Sequence, residues 1–260
     1  MTATQAIAVW LLVMVRAGGL ILTLPVFSGN QVPRQLKVAL GVLLATLAAP
    51  LLPAVELKVD SLWWLIQVVF VEITAGAVLG FICRFTFFAL DVTGTLIANE
   101  LGLNMATILN PGSNSAAPIT STLLYWLAVV TFFGLNIHHW VIAFFIRTYS
   151  VLPMGAAHGS EELMRNVLTH TGWILSAGIQ IAAPVMAVAF LVTWVFSMLG
   201  RAVPQMNVFS ESMPVRVLSG LFVFAMSMRF IGDHTANFLR RIPDDFVRVA
   251  QVLGHTAANP

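Results

Sequence analysis

The sequence predicts an all-α integral membrane protein, and three observations lead to this fold class. Of the 260 residues, 58% are hydrophobic and only 9% are charged, whereas a soluble domain carries roughly 25% charged residues. The mean hydropathy is +0.89. The apolar residues also form long runs, and a helix needs about 20 such residues to cross a bilayer. Lipid or other apolar protein must cover such a surface, so we expect a single membrane domain over residues 1–260.

The chain contains about six apolar regions, each approaching or exceeding the length of a membrane span. The third and the fourth are too long for one crossing of a hydrocarbon layer about 30 Å thick. We expect the fourth to be a helical hairpin that turns near residues 134–139. The third is either a hairpin or one span with an extension, and both overlong regions resemble helix-turn-helix hairpins. In order along the chain, the regions cover residues 6–24, 38–55, 62–98, 119–152, 172–199 and 215–239.

A polar tail, residues 240–260, follows the last apolar region. It contains Pro243, and its apolar residues recur at the spacing of an amphipathic helix. We therefore expect a short helix here with one apolar face. That face consists of Phe246, Val249, Val252 and Leu253.

Six charged residues lie within or beside the apolar regions. An ionised side chain at the centre of a bilayer costs roughly 2.5 to 3.5 kcal/mol on insertion scales, so such residues usually face a helix bundle, a water-filled path or one another. Glu72 and Arg84 would lie about 18 Å apart on one straight helix and cannot pair there. Arg84 and Asp91, seven residues apart, share a face. A proton path and buried pairs that fix helix register both remain open, and buried pairing is favoured. The six are Arg16, Glu72, Arg84, Asp91, Glu100 and Arg229.

The loop of residues 99–118 is the most unusual segment, because it lacks Lys and Arg and mixes apolar residues with Gly, Asn and Pro. Irregular backbone at membrane depth survives only when it is buried in protein or lines a cavity. The loop is therefore either an aqueous connector or an internal plug, and its apolar middle favours the plug. The candidate gate residues are Met105, Ile108, Leu109, Asn110, Pro111 and Gly112.

Neither covalent nor metal chemistry finds support in the sequence. The single cysteine, Cys83, excludes an intramolecular disulfide and a cysteine metal cluster. Adjacent His138 and His139 point about 100° apart on a helix. Ser113 and Ser115 lie in a loop without an evident base, which disfavours an intramembrane hydrolase. No nucleotide-binding motif or basic nucleic-acid patch occurs. We expect no enzyme activity, no metal, no cofactor and no nucleic-acid partner.

The polar loop of residues 200–214 reads Gly-Arg-Ala-Val-Pro-Gln-Met-Asn-Val-Phe-Ser-Glu-Ser-Met-Pro. This loop resembles the signature of the FliR family, the R-type export-gate subunits of flagellar type III secretion. The pairs Asn110-Pro111 and His138-His139 resemble family features too, although many relatives carry Asp in place of Asn110. The resemblance covers essentially the whole chain, and its Gly-Arg-x-x-Pro-Gln-Met-Asn form favours a flagellar over a virulence T-type subunit. The candidate subunit-contact residues are Arg201, Pro204, Gln205, Met206 and Asn207.

The resemblance implies a non-enzymatic subunit of the export gate in the bacterial inner membrane, within the flagellar basal body. One R-type copy would assemble with about five P-type and about four Q-type subunits into a helical pore. A switch-type subunit of the export apparatus would bind its cytoplasmic side. Unfolded secreted proteins would pass when the loop of residues 99–118 withdraws. The alternative is a proton-coupled secondary transporter that uses Glu72, Arg84 and Asp91, which should show internal inverted symmetry.

Overall fold

A computed structural model of the chain describes residues 3–29, 32–52, 62–104, 118–157, 161–203 and 205–255. Within these ranges the secondary structure is helical, with no strand. Five of the described helices are long and apolar enough to cross a membrane, or six spans result if one bent helix pair counts as a span. The all-α membrane fold expected from the sequence is therefore confirmed. The helices are α1 (Ala3–Thr23), α2 (Pro25–Ser28), α3 (Arg34–Ala48), α4 (Leu62–Glu100), α5 (Ile119–Gly134), α6 (Ile137–Val151), α7 (Glu161–Ala202) and α8 (Val208–His255).

The two overlong apolar regions differ from each other in the structure. The third region forms α4, a single helix of 39 residues without a break. The alternative of one extended helix is therefore correct, and the hairpin alternative is wrong. No proline occurs in α4 to interrupt its hydrogen bonds. The fourth region breaks between α5 and α6, where the sequence placed a turn. The break is a bend of 68° rather than the reversal of a hairpin, and Asn136 provides it with a left-handed φ of 55°, a conformation that Asn tolerates.

The last helix is longer than the sequence indicated. α8 runs for 48 residues and continues through Pro243, so the polar tail does not form a separate helix up to residue 255. The expected apolar face of this segment is nevertheless present. Its four members are buried against the rest of their unit: Phe246, Val249, Val252 and Leu253.

The chain divides into two compact units, each of which is described by itself. Unit 1 comprises Met1–Phe85, Phe132–His170 and Phe238–Pro260, and unit 2 comprises Thr86–Thr131 and Thr171–Asn237. The helices α4, α5, α7 and α8 each contribute one segment to each unit. The expectation of a single membrane domain stays a prediction.

In unit 1, α1 and α4 approach each other until their backbones touch. Gly76 lies directly against the backbone carbonyl of Arg16, and a Cβ on Gly19 would come within 2.5 Å of the carbonyl of Ile73. A Cβ on Gly80 would likewise come within 2.6 Å of the carbonyl of Leu20. The Gly76-x-x-x-Gly80 spacing is the small-residue pattern that lets membrane helices pack closely. Any side chain at these positions would push the two helices apart.

Candidate functional site

Arg16 and Glu72 form a fully buried ion pair in unit 1. Arg16 Nε donates a hydrogen bond to Glu72 Oε2 at 2.5 Å, and Nη2 donates to Oε1 at 2.9 Å. Both side chains are 0% exposed. Two parallel bonds of this kind are stronger than neutral hydrogen bonds and also fix geometry. The pair ties α1 to α4 at the point where their glycines bring the backbones together.

The same ion pair holds the turn that follows α6. The second terminal nitrogen of Arg16, Nη1, donates to the backbone carbonyl of Leu152 at 3.2 Å. The backbone N–H of Gly155 donates to Glu72 Oε1 at 2.9 Å. The guanidinium also covers the ring of Tyr149, with Cζ 4.0 Å from the ring centroid. One charged pair thus connects three parts of unit 1, as expected of buried pairing that fixes register.

Gly155 reaches Glu72 only because it is a glycine. Its φ is +74°, a region that L side chains rarely adopt. An added Cβ would also lie 3.2 Å from a methyl group of Val68. The sequence marked Arg16 and Glu72 separately as buried charges. Because the two residues are 56 positions apart in the sequence, their pairing could not be predicted from the spacing of nearby residues.

The other charged residues named from the sequence occupy different surroundings. Arg84 in unit 1 and Glu100 in unit 2 are half-buried, while Asp91 in unit 2 is exposed. Arg16 and Glu72 are therefore the two of these residues that are fully buried within this chain, whereas Asp91 is not buried. A charge is buried at tolerable cost only where an opposite charge and hydrogen bonds compensate it, as these two do for each other.

The candidate gate residues, 105–112, lie outside the described residues, but both ends of their loop belong to unit 2. On the α4 side, Leu101 is fully buried and its side chain lies directly against Gly220 of α8. Gly102 has a φ of +71° and faces the terminal methyl group of Met213. A short hydrogen bond of 2.5 Å joins the side chains of Asn104 and Asn99. The first residues of the loop, up to residue 104, are therefore anchored to α4 and α8.

On the other side of the loop, small polar residues fasten α5 to α4. The Thr120 hydroxyl donates to the carbonyl of Gly94 at 2.5 Å, and the hydroxyls of Thr95 and Ser121 are hydrogen-bonded at 3.1 Å. Gly94 lies directly against the backbone of Ser121. Thr93 extends the contact to α7 by donating to the carbonyl of Gly178 at 3.2 Å. Hydroxyl-to-carbonyl bonds and small residues are the usual means of joining helices in membranes.

The polar loop between α7 and α8 is described except for Pro204. Arg201, Gln205 and Asn207 are exposed, and Met206 is half-buried. Asn207 begins α8: its Oδ1 accepts the backbone N–H of Ser210 at 3.3 Å, and its carbonyl accepts that of Glu211 at 3.0 Å. This is the role of an N-cap. A contact with another subunit stays a prediction for all five candidate residues.

An open cavity of about 490 Å³ lies in unit 2, a feature that the sequence did not indicate. It carries one carboxylate, of Glu100, and one guanidinium, of Arg216, among apolar neighbours. The Nε of Arg216 is buried and has no hydrogen-bond partner among the described residues. Its lining residues are Glu100, Met186, Ala187, Phe190, Thr193 and Arg216.

In the described part of the chain, no group of three or more His, Cys, Asp or Glu residues could hold a metal ion. The rings of His138 and His139 lie 4.1 Å apart, centroid to centroid. His170 and Asp245 approach each other to 3.9 Å in unit 1. Neither pair has, among the residues that the structure describes, a third His, Cys, Asp or Glu residue that would complete a metal site.

Large apolar side chains remain uncovered on the two longest helices. Within the most apolar windows, the buried share is 22% for α7 and 17% for α8. Monomeric soluble proteins rarely expose large contiguous apolar patches. Together with the buried polar ties, these surfaces define an integral membrane protein whose helices are covered by lipid or by other apolar protein.

The chain belongs to the FliR family of bacterial export proteins. The family model described as "Bacterial export proteins, family 1" matches residues 7–242. Flagellar biosynthetic protein FliR of Escherichia coli (strain K12) is 30% identical over 236 residues, which cover 88% of this chain and 87% of the relative. FliR of Buchnera aphidicola subsp. Schizaphis graminum is 30% identical over 210 residues, covering 80% and 81%. FliR of Caulobacter vibrioides is 25% identical over 236 residues, covering 90% and 94%.

Proposed function

We propose that this chain is a non-enzymatic subunit of the flagellar type III protein-export gate in the bacterial inner membrane. It forms part of the pore and its plug, through which unfolded flagellar substrates cross. The observation that carries the proposal is the similarity to flagellar FliR proteins over 80% or more of the chain. The assembly contains P-type and Q-type subunits, about five and about four copies to one R-type copy, and a switch-type subunit on the cytoplasmic side.

The uncovered apolar surface supports a role within an assembly. Exposed side chains such as Phe190, Trp194 and Phe222 cost free energy in water, at about 25 cal/mol per Å² of apolar surface. Lipid would remove that cost as well as partner subunits, so the surface supports an assembly through close packing of matching shapes, which joins helices in membranes.

The anchored ends of the loop support a plug. Leu101 and Thr120 hold the two ends to the helices of unit 2, so movement of the intervening segment need not disturb those helices. Met105, Ile108 and Leu109 would seal the closed pore by apolar packing, a task that flexible methionine performs well. Asn110, Pro111 and Gly112 would shape the turn that withdraws. The closed and open positions form a two-state equilibrium that substrate shifts.

Ion conductance of the assembled gate tests this proposal. Residues 105–115 are replaced by a Gly/Ser segment of equal length, so that chain connectivity is kept while the apolar seal is lost. The altered gate should conduct ions in planar bilayers, whereas the unaltered gate stays closed. A second variant with residues 53–59 replaced by a Gly/Ser segment of equal length, between α3 and α4 in the chain, controls for the exchange of a segment as such. A closed gate after exchange of 105–115 contradicts the plug.

The proton-coupled transporter fits the geometry less well. Both carboxylate oxygens of Glu72 accept hydrogen bonds from Arg16, and one also accepts from Gly155. A carboxylate engaged in this way is suited to structural pairing rather than to a cycle of proton uptake and release. Proton flux into liposomes that contain this chain alone would favour the transporter instead.

A further inference from the structure

The open cavity of unit 2 combines one positive and one negative side chain with an apolar wall. Its volume of about 490 Å³ lies within the range of sites that hold small molecules. The guanidinium belongs to Arg216 of α8, and the carboxylate belongs to Glu100, the last residue of α4. The rest of the wall is contributed by α7 and consists of Met186, Ala187, Phe190 and Thr193.

Neither charge of the cavity is compensated by a part of the chain that the structure describes. The Nε of Arg216 is buried and lacks a hydrogen-bond partner there, and a buried donor without an acceptor carries a free-energy penalty. Arg216 and Glu100 also form no ion pair with any described residue. Thr193 differs from them, because its hydroxyl already donates to the carbonyl of Ala189 at 2.7 Å. A ligand with one anionic and one cationic group would therefore satisfy both charged side chains.

An exposed apolar face continues from the cavity along α7. Phe190 lies in the cavity wall and is 66% exposed, and Trp194, one turn further along the helix, is 54% exposed. Met198 extends the same face by another turn at 43% exposure, since positions four residues apart lie on one side of a helix. Tryptophan is also enriched in membrane proteins at the level of the lipid headgroups. A ligand of the cavity can therefore carry long apolar chains, which this face would accommodate.

We propose that this cavity binds the headgroup of a phospholipid that carries an amine, as phosphatidylethanolamine does. The phosphate accepts hydrogen bonds from the guanidinium of Arg216, and the ammonium group donates to the carboxylate of Glu100. Hydrogen bonds between ionised groups are the strong class, and basic pockets between membrane helices bind lipid headgroups. The acyl chains lie along the apolar face of α7. The site consists of residues of this chain alone, so the inference goes beyond the proposed function and does not depend on it.

The carboxylate of Glu100 decides which class of phospholipid fits. The headgroup of phosphatidylglycerol offers a phosphate to Arg216 but no cation to Glu100, so its negative charge would lie near a second negative charge and be repelled. Inorganic phosphate lacks both the cation and the apolar chains. The cavity should therefore prefer phosphatidylethanolamine to phosphatidylglycerol, and this preference should depend on the charge of Glu100.

Native mass spectrometry tests the lipid site. The full chain is purified in detergent through its own tag, with any subunits that accompany it, and is mixed with equal amounts of phosphatidylethanolamine and phosphatidylglycerol that have the same acyl chains. The unaltered chain should bind mainly phosphatidylethanolamine. Arg216→Gln should lower the bound fraction of both lipids at least about tenfold, because the phosphate loses its charged donor. Glu100→Gln should reverse the preference towards phosphatidylglycerol, because the cavity then carries a net positive charge.

Two exposed residues of unit 2 provide matched controls. Arg229→Gln removes an exposed arginine of α8, and Asp91→Asn removes an exposed carboxylate of α4. Neither residue lines the cavity, so both variants should bind phosphatidylethanolamine as the unaltered chain does. A competition with soluble glycerophosphoethanolamine, which has the headgroup without acyl chains, tests the source of the ligand. An excess of it should leave the phospholipid bound, because the apolar face of α7 contributes to the affinity.

The results separate a specific site from lipid that merely surrounds the helices. Reversal of the preference by Glu100→Gln supports the proposal and cannot result from unfolding, because an unfolded chain would lose both lipids. Equal binding of phosphatidylethanolamine by the unaltered chain and by Arg216→Gln indicates surrounding lipid only and overturns the proposal. A preference of the unaltered chain for phosphatidylglycerol also overturns it. Displacement by glycerophosphoethanolamine would make a free headgroup the ligand and would overturn the assignment to a phospholipid.

Discussion

Unit 1 and unit 2 are both built from membrane helices, but different interactions hold them together. Unit 1 depends on one buried ion pair, Arg16 and Glu72, which connects two helices and a turn. Unit 2 depends on several weak ties between small residues, such as Thr120 with Gly94 and Thr95 with Ser121. It also contains both ends of the loop and the charged cavity. The buried ion pair thus lies in unit 1, and both ends of the loop proposed as a plug lie in unit 2.

The difference matters because the two kinds of interaction lose different amounts of stability when one residue is substituted. A buried ion pair is worth little net stability while it is intact, but removing one partner leaves an uncompensated charge. Distributed hydroxyl bonds contribute about 1 kcal/mol each, and the loss of one can be tolerated. Unit 1 should therefore respond sharply to a single substitution at its centre, and unit 2 should respond gradually.

The largest effect is expected from breaking the ion pair of unit 1. Glu72→Ala should destabilise the protein by about 3 to 5 kcal/mol, because Arg16 stays buried without its partner and the Gly155 N–H loses its acceptor. The loss is measured by thermal unfolding of the detergent-purified gate and by recovery of the subunit. Asp91→Ala, an exposed carboxylate on the same helix, is the control and should change little. The double variant Arg16→Leu/Glu72→Leu should lose less stability than the sum of the losses of Arg16→Leu alone and Glu72→Leu alone. If the two losses simply add, the two residues are not energetically coupled.

An intermediate effect is expected where α5 contacts α4 in unit 2. Gly94→Ala would place a methyl group directly against the backbone of Ser121, and overpacking of this kind costs typically about 1 to 3 kcal/mol. Gly232→Ala is the matched control, because a Cβ there meets nothing within 4 Å, and it should stabilise α8 by about 0.5 to 1 kcal/mol. The unfolding temperatures of the two variants should shift in opposite directions. Equal shifts would mean that the close contact is not a constraint.

The smallest effect on stability is expected at the start of α8. Asn207→Ala removes the acceptor for the Ser210 N–H and should cost about 1 kcal/mol, whereas Asn207→Asp keeps the cap. If capping is the only role of Asn207, the Asp variant should be recovered with the P-type and Q-type subunits as well as the unaltered chain. Poor recovery of a stably folded Asp variant would instead identify Asn207 as a subunit contact.

Much of this protein was predictable because the membrane constrains sequence strongly. Apolar length and scarcity of charge indicated the helices, and residues 200–214 indicated the family. Those signals are local, and so is the apolar spacing that marked the buried face of Phe246 and Val249. The extent of α4 was harder to predict, because an apolar run of its length is compatible with one helix or with two. The pairing of Arg16 with Glu72 and the role of Gly155 depend on residues that are distant in the chain, which local patterns do not register.

The sequence by itself determined that the chain is helical, that it belongs in a membrane and that its charges need partners, because composition and period alone set those requirements. Only the tertiary structure decided which requirements are met within the chain. Arg16 and Glu72 satisfy each other, since packing at Gly19 and Gly76 brings their helices to backbone contact. Arg229 and Asp233 remain exposed and without an ion-pair partner among the described residues. Which charges find partners depends on helix contacts between distant residues, and those contacts exist only once the chain has folded.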